Sequence, residues 1–306
     1  MKRNILTLLL AAVTFNAMAA TPIQMKESTT KHGPEKGSLI IIGGGLIPAD
    51  VWGKFTELAG GVDKANIVVV TTAAGDSAGI ETRTVNLVRK ETGIKKVTLL
   101  HTKDLQEANS EKFTATLKNA TGVFFEGGRQ WLIADSYLNT LTHQAFWDVL
   151  NRGGVIAGTS AGASIQGSFL WRGDTSGAQI TVGDHTQGLG FLKNSVIDQH
   201  ILRRNRQFDL INVIKESPKL IGIGLDESTA IVVQRDTFEV IGKSYVAVYD
   251  YNTIVGNGER HVIGSRENYA ASSGPFFFLS RGQKYDLSNR QVIREPRRQN
   301  ENQTKN

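Results

Sequence analysis

The strongest chemical signal in the chain is Gly158-Thr159-Ser160-Ala161-Gly162, a G-x-S-x-G pentapeptide preceded by the apolar Val155-Ile156-Ala157. A strand ending in this pattern turns sharply into a helix, exposes the serine oxygen and aims the first helical N–H groups at developing negative charge. That is the setting of a serine nucleophile. The competing reading is a glycine turn in which Ser160 merely caps a helix. Ser164 and Ser168 fall four and eight residues later, on a helix expected over residues 161–169, and suit a nucleophile less well.

A serine nucleophile needs a base, and six histidines are available: His32, His101, His143, His185, His200 and His261. His32 lies in a polar lead-in and His143 on an amphipathic stretch, whereas His101 follows a strand and His185 sits in a Gly/Asp/Thr-rich loop. His200 closes the run Ser195-Val196-Ile197-Asp198-Gln199, an apolar strand with a polar end, from which a side chain can enter a cleft. Its plainer role would be a hydrogen bond in a sheet-edge loop.

A third group must hold the imidazole tautomer. Asp226 and Glu227 follow the strand at 221–225, where adjacent side chains point to opposite sides. One can orient the base while the other organises the turn; Asp174 and Asp184 stay open as alternatives. Residues 200–209 read as a basic helix, with Arg204 one turn beyond His200 and Arg206 and Asp209 paired at i,i+3. Arg204 and Arg206 suit substrate carboxylates, and a solvated helix face is the alternative.

These residues are hung on a series of short apolar runs. Residues 39–42 are a fully apolar strand, the pattern of one covered on both faces, and the short apolar runs at 66–70, 97–100, 122–125 and 155–157 continue the series. Helical patterns at 48–58, 80–92, 111–117, 131–138 and 143–150 alternate with them, which predicts an α/β sheet with right-handed crossovers. Closely spaced strands at 221–225, 230–233, 238–241, 245–251, 261–263 and 276–279 predict an antiparallel extension of that sheet. A single catalytic domain is expected over residues 38–290, with an exposed lead-in at 20–37 and a polar, disordered tail at 291–306.

The first 19 residues have the three parts of a secretory signal: Lys2 and Arg3, an apolar run from Ile5 to Phe15, and Ala17-Met18-Ala19. Cleavage there predicts a periplasmic or extracellular protein with no stable membrane insertion. The chain has no Cys, so neither a disulfide framework nor lipid attachment at Cys is possible. Of the +6 formal charge of its 306 residues, +2 comes from Lys2 and Arg3 and +2 from the segment beginning at Gln291, so no basic face points to nucleic acid.

Taken in order, Ile41-Ile42-Gly43-Gly44-Gly45, Phe124-Phe125-Glu126-Gly127-Gly128-Arg129-Gln130, Gly158-Thr159-Ser160-Ala161-Gly162-Ala163, Val196-Ile197-Asp198-Gln199-His200 and Gly222-Ile223-Gly224-Leu225-Asp226-Glu227-Ser228-Thr229-Ala230 resemble peptidase family S51, cyanophycinase-like members included. The resemblance spans residues 39–262. It implies a class I glutamine-amidotransferase-like three-layer α/β sandwich, with a mainly parallel central sheet and an antiparallel extension. It implies Ser160 as nucleophile, His200 as base and Glu227 as orienting acid, with Asp226 the alternative acid. Gly128 and Ala161 would supply oxyanion N–H groups, and Gln130, Asp198, Gln199, Arg204 and Arg206 would contact substrate.

The substrate implied is an aspartate-rich peptide or cyanophycin, a poly-aspartate bearing arginines, released as β-Asp-Arg dipeptides; a homodimer is the implied assembly, and no cofactor or metal is required. Two positions depart from the family pattern: Arg129 stands where Asp is common, and Asp209 where a third arginine is expected. An Asp209 carboxylate would attract a substrate arginine or mark a changed pocket. The alternatives are an aspartyl dipeptidase and a catalytically silent periplasmic binding protein. An α/β-hydrolase esterase fits less well, because its order is nucleophile, acid, base rather than Ser160, His200, Glu227.

Overall fold

The computed structural model of the chain describes residues 29–75, 79–255 and 276–294. Five parallel strands form one side of the larger sheet: β1 (Ser38–Ile42), β2 (Asn66–Val70), β3 (Lys96–Leu100), β4 (Gly122–Phe125) and β5 (Val155–Thr159). They lie in the order β1-β5-β4-β2-β3. β1, β4 and β5 are buried at every position, as their mainly apolar sequences require.

The helices between them are α1 (Ala49–Leu58), α2 (Ile80–Thr92), α3 (Leu105–Ala108), α4 (Glu111–Thr114), α5 (Gln130–Tyr137) and α6 (Leu141–Asn151). Val51, Trp52 and Phe55 of α1 pack with Val88 of α2 on Ile40, Val69 and Phe124, which closes one face. The other face meets Tyr137 of α5, Phe146 and Val149 of α6, and a second sheet through Ile197 and Ile223.

The chain beyond β5 departs from the expected single extension. α7 (Ala161–Ser164) is one turn long and β6 (Gly167–Phe169) follows it, in place of the continuous helix expected over 161–169. The backbone explains the break: the carbonyls of Ile165 and Gln166 accept Leu189 N at 2.8 Å and Leu192 N at 2.9 Å, so a distant segment pairs with them instead of the helix.

β7 (Leu192–Gln199) and β8 (Ile221–Leu225) run parallel beside β6, and β11 (Val246–Tyr249) and β12 (Phe277–Leu279) complete this second, five-stranded sheet. Only β9 (Thr229–Gln234), β10 (Thr237–Gly242), β13 (Lys284–Asp286) and β14 (Gln291–Ile293) extend the larger sheet antiparallel from β1. The strand expected at 261–263 lies outside the described residues, as does the segment read as a signal. α8 (Leu210–Glu216) and α9 (Tyr251–Val255) cover the outer face of the second sheet.

Two boundary expectations are corrected. Thr30, His32 and Pro34 are buried rather than part of an exposed lead-in, because Asp236 accepts the backbone N–H groups of Lys31, His32 and Gly33. Gln291–Ile293, expected to open a disordered tail, pairs with β13 instead, and residues 295–306 lie outside the described residues. Among the described residues no helix is long and apolar enough to cross a membrane.

Candidate active site

Four chain segments meet where the two sheets approach each other. β5 runs parallel to β1 with Ile42 opposite Thr159, which sets Ser160 beside the Gly43-Gly44-Gly45 turn. β7 and β8 are parallel with Gln199 opposite Leu225, so His200 and Asp226-Glu227 leave neighbouring strands at the same level. The chain then crosses from β8 to β9 in the other sheet, where Ala230 lies opposite Ile42. A crevice outside the carboxyl ends of sheet strands is where α/β proteins place ligands.

Ser160 has φ 55° and ψ −111°, and its N–H donates to Ile42 O at 3.0 Å. Such a backbone costs about 1–3 kcal/mol for a residue with a side chain and survives where neighbours fix it. The bond to Ile42 O ties it here, and Gly158 leaves room for the turn, since a Cβ at that position would stand 2.1 Å from Gly162 O. The expected strand-to-helix elbow is therefore present, although its helix is a single turn.

Ser160 Oγ lies 2.9 Å from His200 Nε2, and His200 Nδ1 lies 2.7 Å from Glu227 Oε1. With its proton on Nδ1 the imidazole donates to Glu227 and accepts from the serine hydroxyl. Burial lowers the His200 pKa below the usual 6.5; the Glu227 carboxylate opposes that shift, and the nearby Arg204 and Arg206 cations add to it. The ring is thus neutral at pH 7, the state that can accept a proton. The side chain of Glu227 is 31% exposed and that of His200 only 7%.

Asp226 faces the other way. Its Oδ1 accepts Leu202 N at 3.1 Å and Arg203 N at 3.0 Å, and its Oδ2 accepts Ser244 Oγ at 2.7 Å. The two adjacent carboxylates thus end on different partners, Glu227 on the imidazole and Asp226 on the turn behind it. Asp174 and Asp184 bond instead to the loop around Ser176 and Thr175.

The glycines after β1 are legible in the sequence only as a turn, and their packing role is not. A Cβ on Gly44 would stand 2.2 Å from His200 Cε1, and one on Gly45 would stand 2.9 Å from Glu227 Oε2. The same loop holds the pair by its backbone: Gly43 O accepts His200 N and Gly44 O accepts Ser228 N, each at 2.9 Å. His200 itself has φ 57°, a turn that this anchoring sustains.

Gly127 reaches the serine from the β4 side, its missing Cβ 3.3 Å from Ser160 Cβ. Gly128 needs its φ of 142° and its lack of a side chain, because a Cβ would meet Ala73 O at 2.0 Å. Among the described residues neither Gly128 N–H nor Ala161 N–H donates to a protein acceptor.

The five residues expected to touch substrate are arranged unevenly. Gln130 is buried and donates Nε2 to Trp171 O at 2.7 Å. Asp198 and Gln199 are buried, and Arg206 is buried with Nη1 3.3 Å from both Gln199 O and Gln199 Oε1. Arg204 alone of the five is exposed. Residues 200–205 form turns rather than the expected helix, which starts at Leu210, and Asn205 has φ 55°. Arg129 donates Nη2 to Asp174 O at 2.7 Å, tying α5 to the loop beyond β6.

Among the described residues no three His, Asp or Glu side chains are grouped to hold a metal ion. The other described histidines near the sheets lie apart from Ser160: His101 bonds Thr71, His143 bonds Leu189 O, and His185 lies between Asp135 and Asp184.

The chain is similar to a cyanophycinase of Trichormus variabilis (strain ATCC 29413 / PCC 7937), 32% identical over 238 residues that make up 76% of this chain and 79% of that protein. It is 29% identical over 275 residues to a cyanophycinase of Synechococcus elongatus, covering 88% of this chain and 84% of that one. In fold it is similar to the crystal structure of a peptidase from an acI-B1 Actinobacterium, with a TM-score of 0.61, 21% identity, and coverage of 83% of this chain and 98% of that chain. The model of peptidase family S51 matches residues 39–241, a span that begins on β1 and takes in the glycine turn, the serine elbow and the His200–Glu227 pair. The chain belongs to peptidase family S51.

Proposed function

We propose that this chain is an exported serine peptidase that hydrolyses cyanophycin to β-Asp-Arg dipeptides through Ser160, His200 and Glu227. The observation that carries the reading is the continuous relay at the strained elbow, 2.9 Å from Ser160 Oγ to His200 Nε2 and 2.7 Å from His200 Nδ1 to Glu227 Oε1. As Ser160 Oγ attacks the scissile carbonyl, its proton passes to His200 Nε2, and Glu227 stabilises the imidazolium through Nδ1–H. His200 then protonates the leaving amine, and a water deprotonated at the same nitrogen releases the acyl group. The free N–H groups of Gly128 and Ala161 are assigned to the oxyanion.

The substrate assignment draws on the cyanophycinases that the chain resembles over three quarters of its length. The lead segment with Lys2, Arg3 and Ala17-Met18-Ala19 supports export. The strand order and covered sheet faces suit the class I glutamine-amidotransferase-like sandwich that family membership implies, and a homodimer is the assembly to look for.

The test is a panel of insoluble cyanophycin, β-Asp-Arg polymers and α-Asp dipeptides, with the acyl-enzyme followed by mass spectrometry. Polymer cleavage with a Ser160-linked acyl group is the expected result. Dipeptide cleavage without polymer cleavage would make the chain an aspartyl dipeptidase, and ligand binding without hydrolysis would make it a binding protein.

A further inference from the structure

Glu126 directly follows β4, two residues before a proposed oxyanion donor, and the relay of Ser160, His200 and Glu227 makes no use of it. Four successive N–H groups leave that strand end. Glu126 N donates to Val70 O at 2.9 Å, Gly127 N to the Glu126 carboxylate Oε1 at 2.8 Å, and Arg129 N to Ala73 O at 2.7 Å. Gly128 N, between the last two, has no protein acceptor among the described residues, and Gly128 is exposed. This strap runs beside the nucleophile: a Cβ on Gly127 would stand 3.3 Å from Ser160 Cβ and 3.8 Å from Ser160 Oγ.

The peptide plane that carries Gly128 N lies between two glycines, the residues least able to hold a backbone orientation by themselves. The neighbouring planes are tethered instead. On the Ala73 side, the turn Thr72–Ala74 is pinned by a bond between Thr72 Oγ1 and Tyr137 OH at 2.6 Å. On the other side the tether is Glu126, whose second oxygen accepts Thr84 Oγ1 at 2.7 Å. Thr84 is 1% exposed on α2, whose Val85 and Val88 belong to the core on that face, so the carboxylate is held by a helix that the core holds in turn. A donor fixed before the reaction stabilises an oxyanion without reorganising during it, and one on a free glycine hinge does not.

We infer that Glu126 is a positioning residue for the oxyanion site: clamped by Thr84, it occupies Gly127 N and fixes the peptide between Gly127 and Gly128, so that Gly128 N is the donor the strap presents beside Ser160. This rests on the Ser160 acyl mechanism proposed above and not on the identity of the substrate. It predicts a loss confined to the tetrahedral states of acylation and deacylation, where the carbonyl oxygen gains its charge, with little change in ground-state binding.

The experiment measures kcat, KM and the acid limb of kcat/KM for the full chain and its variants, on whichever of a soluble β-Asp-Arg polymer and an α-Asp dipeptide the wild type cleaves. Glu126→Ala should lower kcat at least about tenfold while KM stays within about threefold. Its acid limb should stay in place, because the charged groups that act on His200 are Glu227, Arg204 and Arg206. Glu126→Gln keeps an acceptor for Gly127 N and has an amide that can donate to Thr84 Oγ1, so its kcat should exceed that of Glu126→Ala by about fivefold or more. Thr84→Val removes the hydroxyl and little volume; it should lower kcat about threefold or more and keeps the test available if Glu126→Ala fails to fold. Wild-type kcat in folded Glu126→Ala or Thr84→Val overturns the inference, as does a Glu126→Gln protein no faster than Glu126→Ala. A raised KM with unchanged kcat in Glu126→Gln would make Glu126 a substrate ligand and overturn it as well. A wild-type chain that cleaves neither substrate and forms no Ser160-linked acyl group rejects the proposed reaction and this inference together, whereas wild-type cleavage with unchanged kcat in either variant rejects this inference alone.

Discussion

Asp226 and Glu227 are sequence neighbours whose carboxylates end on different partners, which gives their replacement different consequences. Glu227→Gln keeps the size of the side chain but removes the charge on His200 Nδ1, so turnover should fall about 10²- to 10⁴-fold with the fold retained. Asp226→Asn weakens the acceptor for Leu202 N and Arg203 N and should act mainly on stability. Stopped-flow acylation together with thermal unfolding separates them; a folded Glu227→Gln protein that acylates at the normal rate, beside a folded Asp226→Asn protein that does not, would exchange the roles. Ser160→Ala should fold and form no acyl-enzyme. The base also has a pH signature. Burial lowers the His200 pKa, so its neutral form persists below pH 6.5 and the acid limb of kcat/KM should lie below that value. Arg204 contributes to the lowering from an exposed position, so Arg204→Gln should move the limb to higher pH. A pH profile in which the limb stays in place would exclude that electrostatic influence.

At the scale of elements, the glycine turn after β1 is the part that the reacting groups depend on most. Gly44→Ala would place a methyl group 2.2 Å from His200 Cε1 in a backbone of φ 109°, and the ring must move away from Ser160. A displacement of about 1 Å costs on the order of 10²-fold in rate, so kcat should fall at least that far, with the larger loss in kcat than in KM. Unchanged kcat in a soluble Gly44→Ala protein would mean that the ring has room the structure does not show. The turn is readable, because the apolar run Leu39-Ile40-Ile41-Ile42 ends in three glycines. Its partner is not, because His200 lies far along the chain and spacing carries no record of that contact. The parallel strands are legible for a related reason: β1, β4 and β5 are buried on both faces and carry polar residues only at an end, Ser38 and Thr159. Residues 161–169 mislead because helix and strand compete there, and long-range pairing at Ile165 and Gln166 decides the outcome. Likewise β8 and β11 have strand sequences that do not say which sheet they join. The motifs name Ser160, His200 and Glu227, which lie in hydrogen-bond contact, whereas no motif announces Arg172, which donates twice to the buried Asp198.

The titrating contacts that hold the molecule respond to acid in opposite directions, and most of them weaken as the pH falls. The segment before β1 joins the two sheets: Asp236, in the turn between β9 and β10, accepts His32 N at 2.7 Å and Lys31 N at 3.0 Å, while Lys193 N at the start of β7 donates to His32 O at 2.8 Å. Burial lowers the pKa of His32, His143 and His200 below 6.5. Each is neutral in the fold and takes up a proton more readily when unfolded, so each contributes stability that is present above pH 6.5 and lost as the pH falls. Asp236 is lowered below 3.8 despite the opposing effect of its burial, because backbone N–H groups stabilise its charge; its contribution is lost at still lower pH. His185 runs the other way: although burial opposes it, its bonds to Asp184 and Asp135 raise its pKa, which adds stability below 6.5 and loses it as the pH rises. Three histidines against one predict that the urea midpoint falls between about pH 7.5 and about pH 5.5. His143 is the residue to test, since it lies away from the serine and its Nε2–H donates to Leu189 O at 2.9 Å. His143→Gln can keep a donor there without a titrating group, so it should reduce the fall in midpoint while leaving the acid limb of activity where it was. A wild-type midpoint that stays level or rises on acidification would mean that the His185 clasp outweighs the three buried rings.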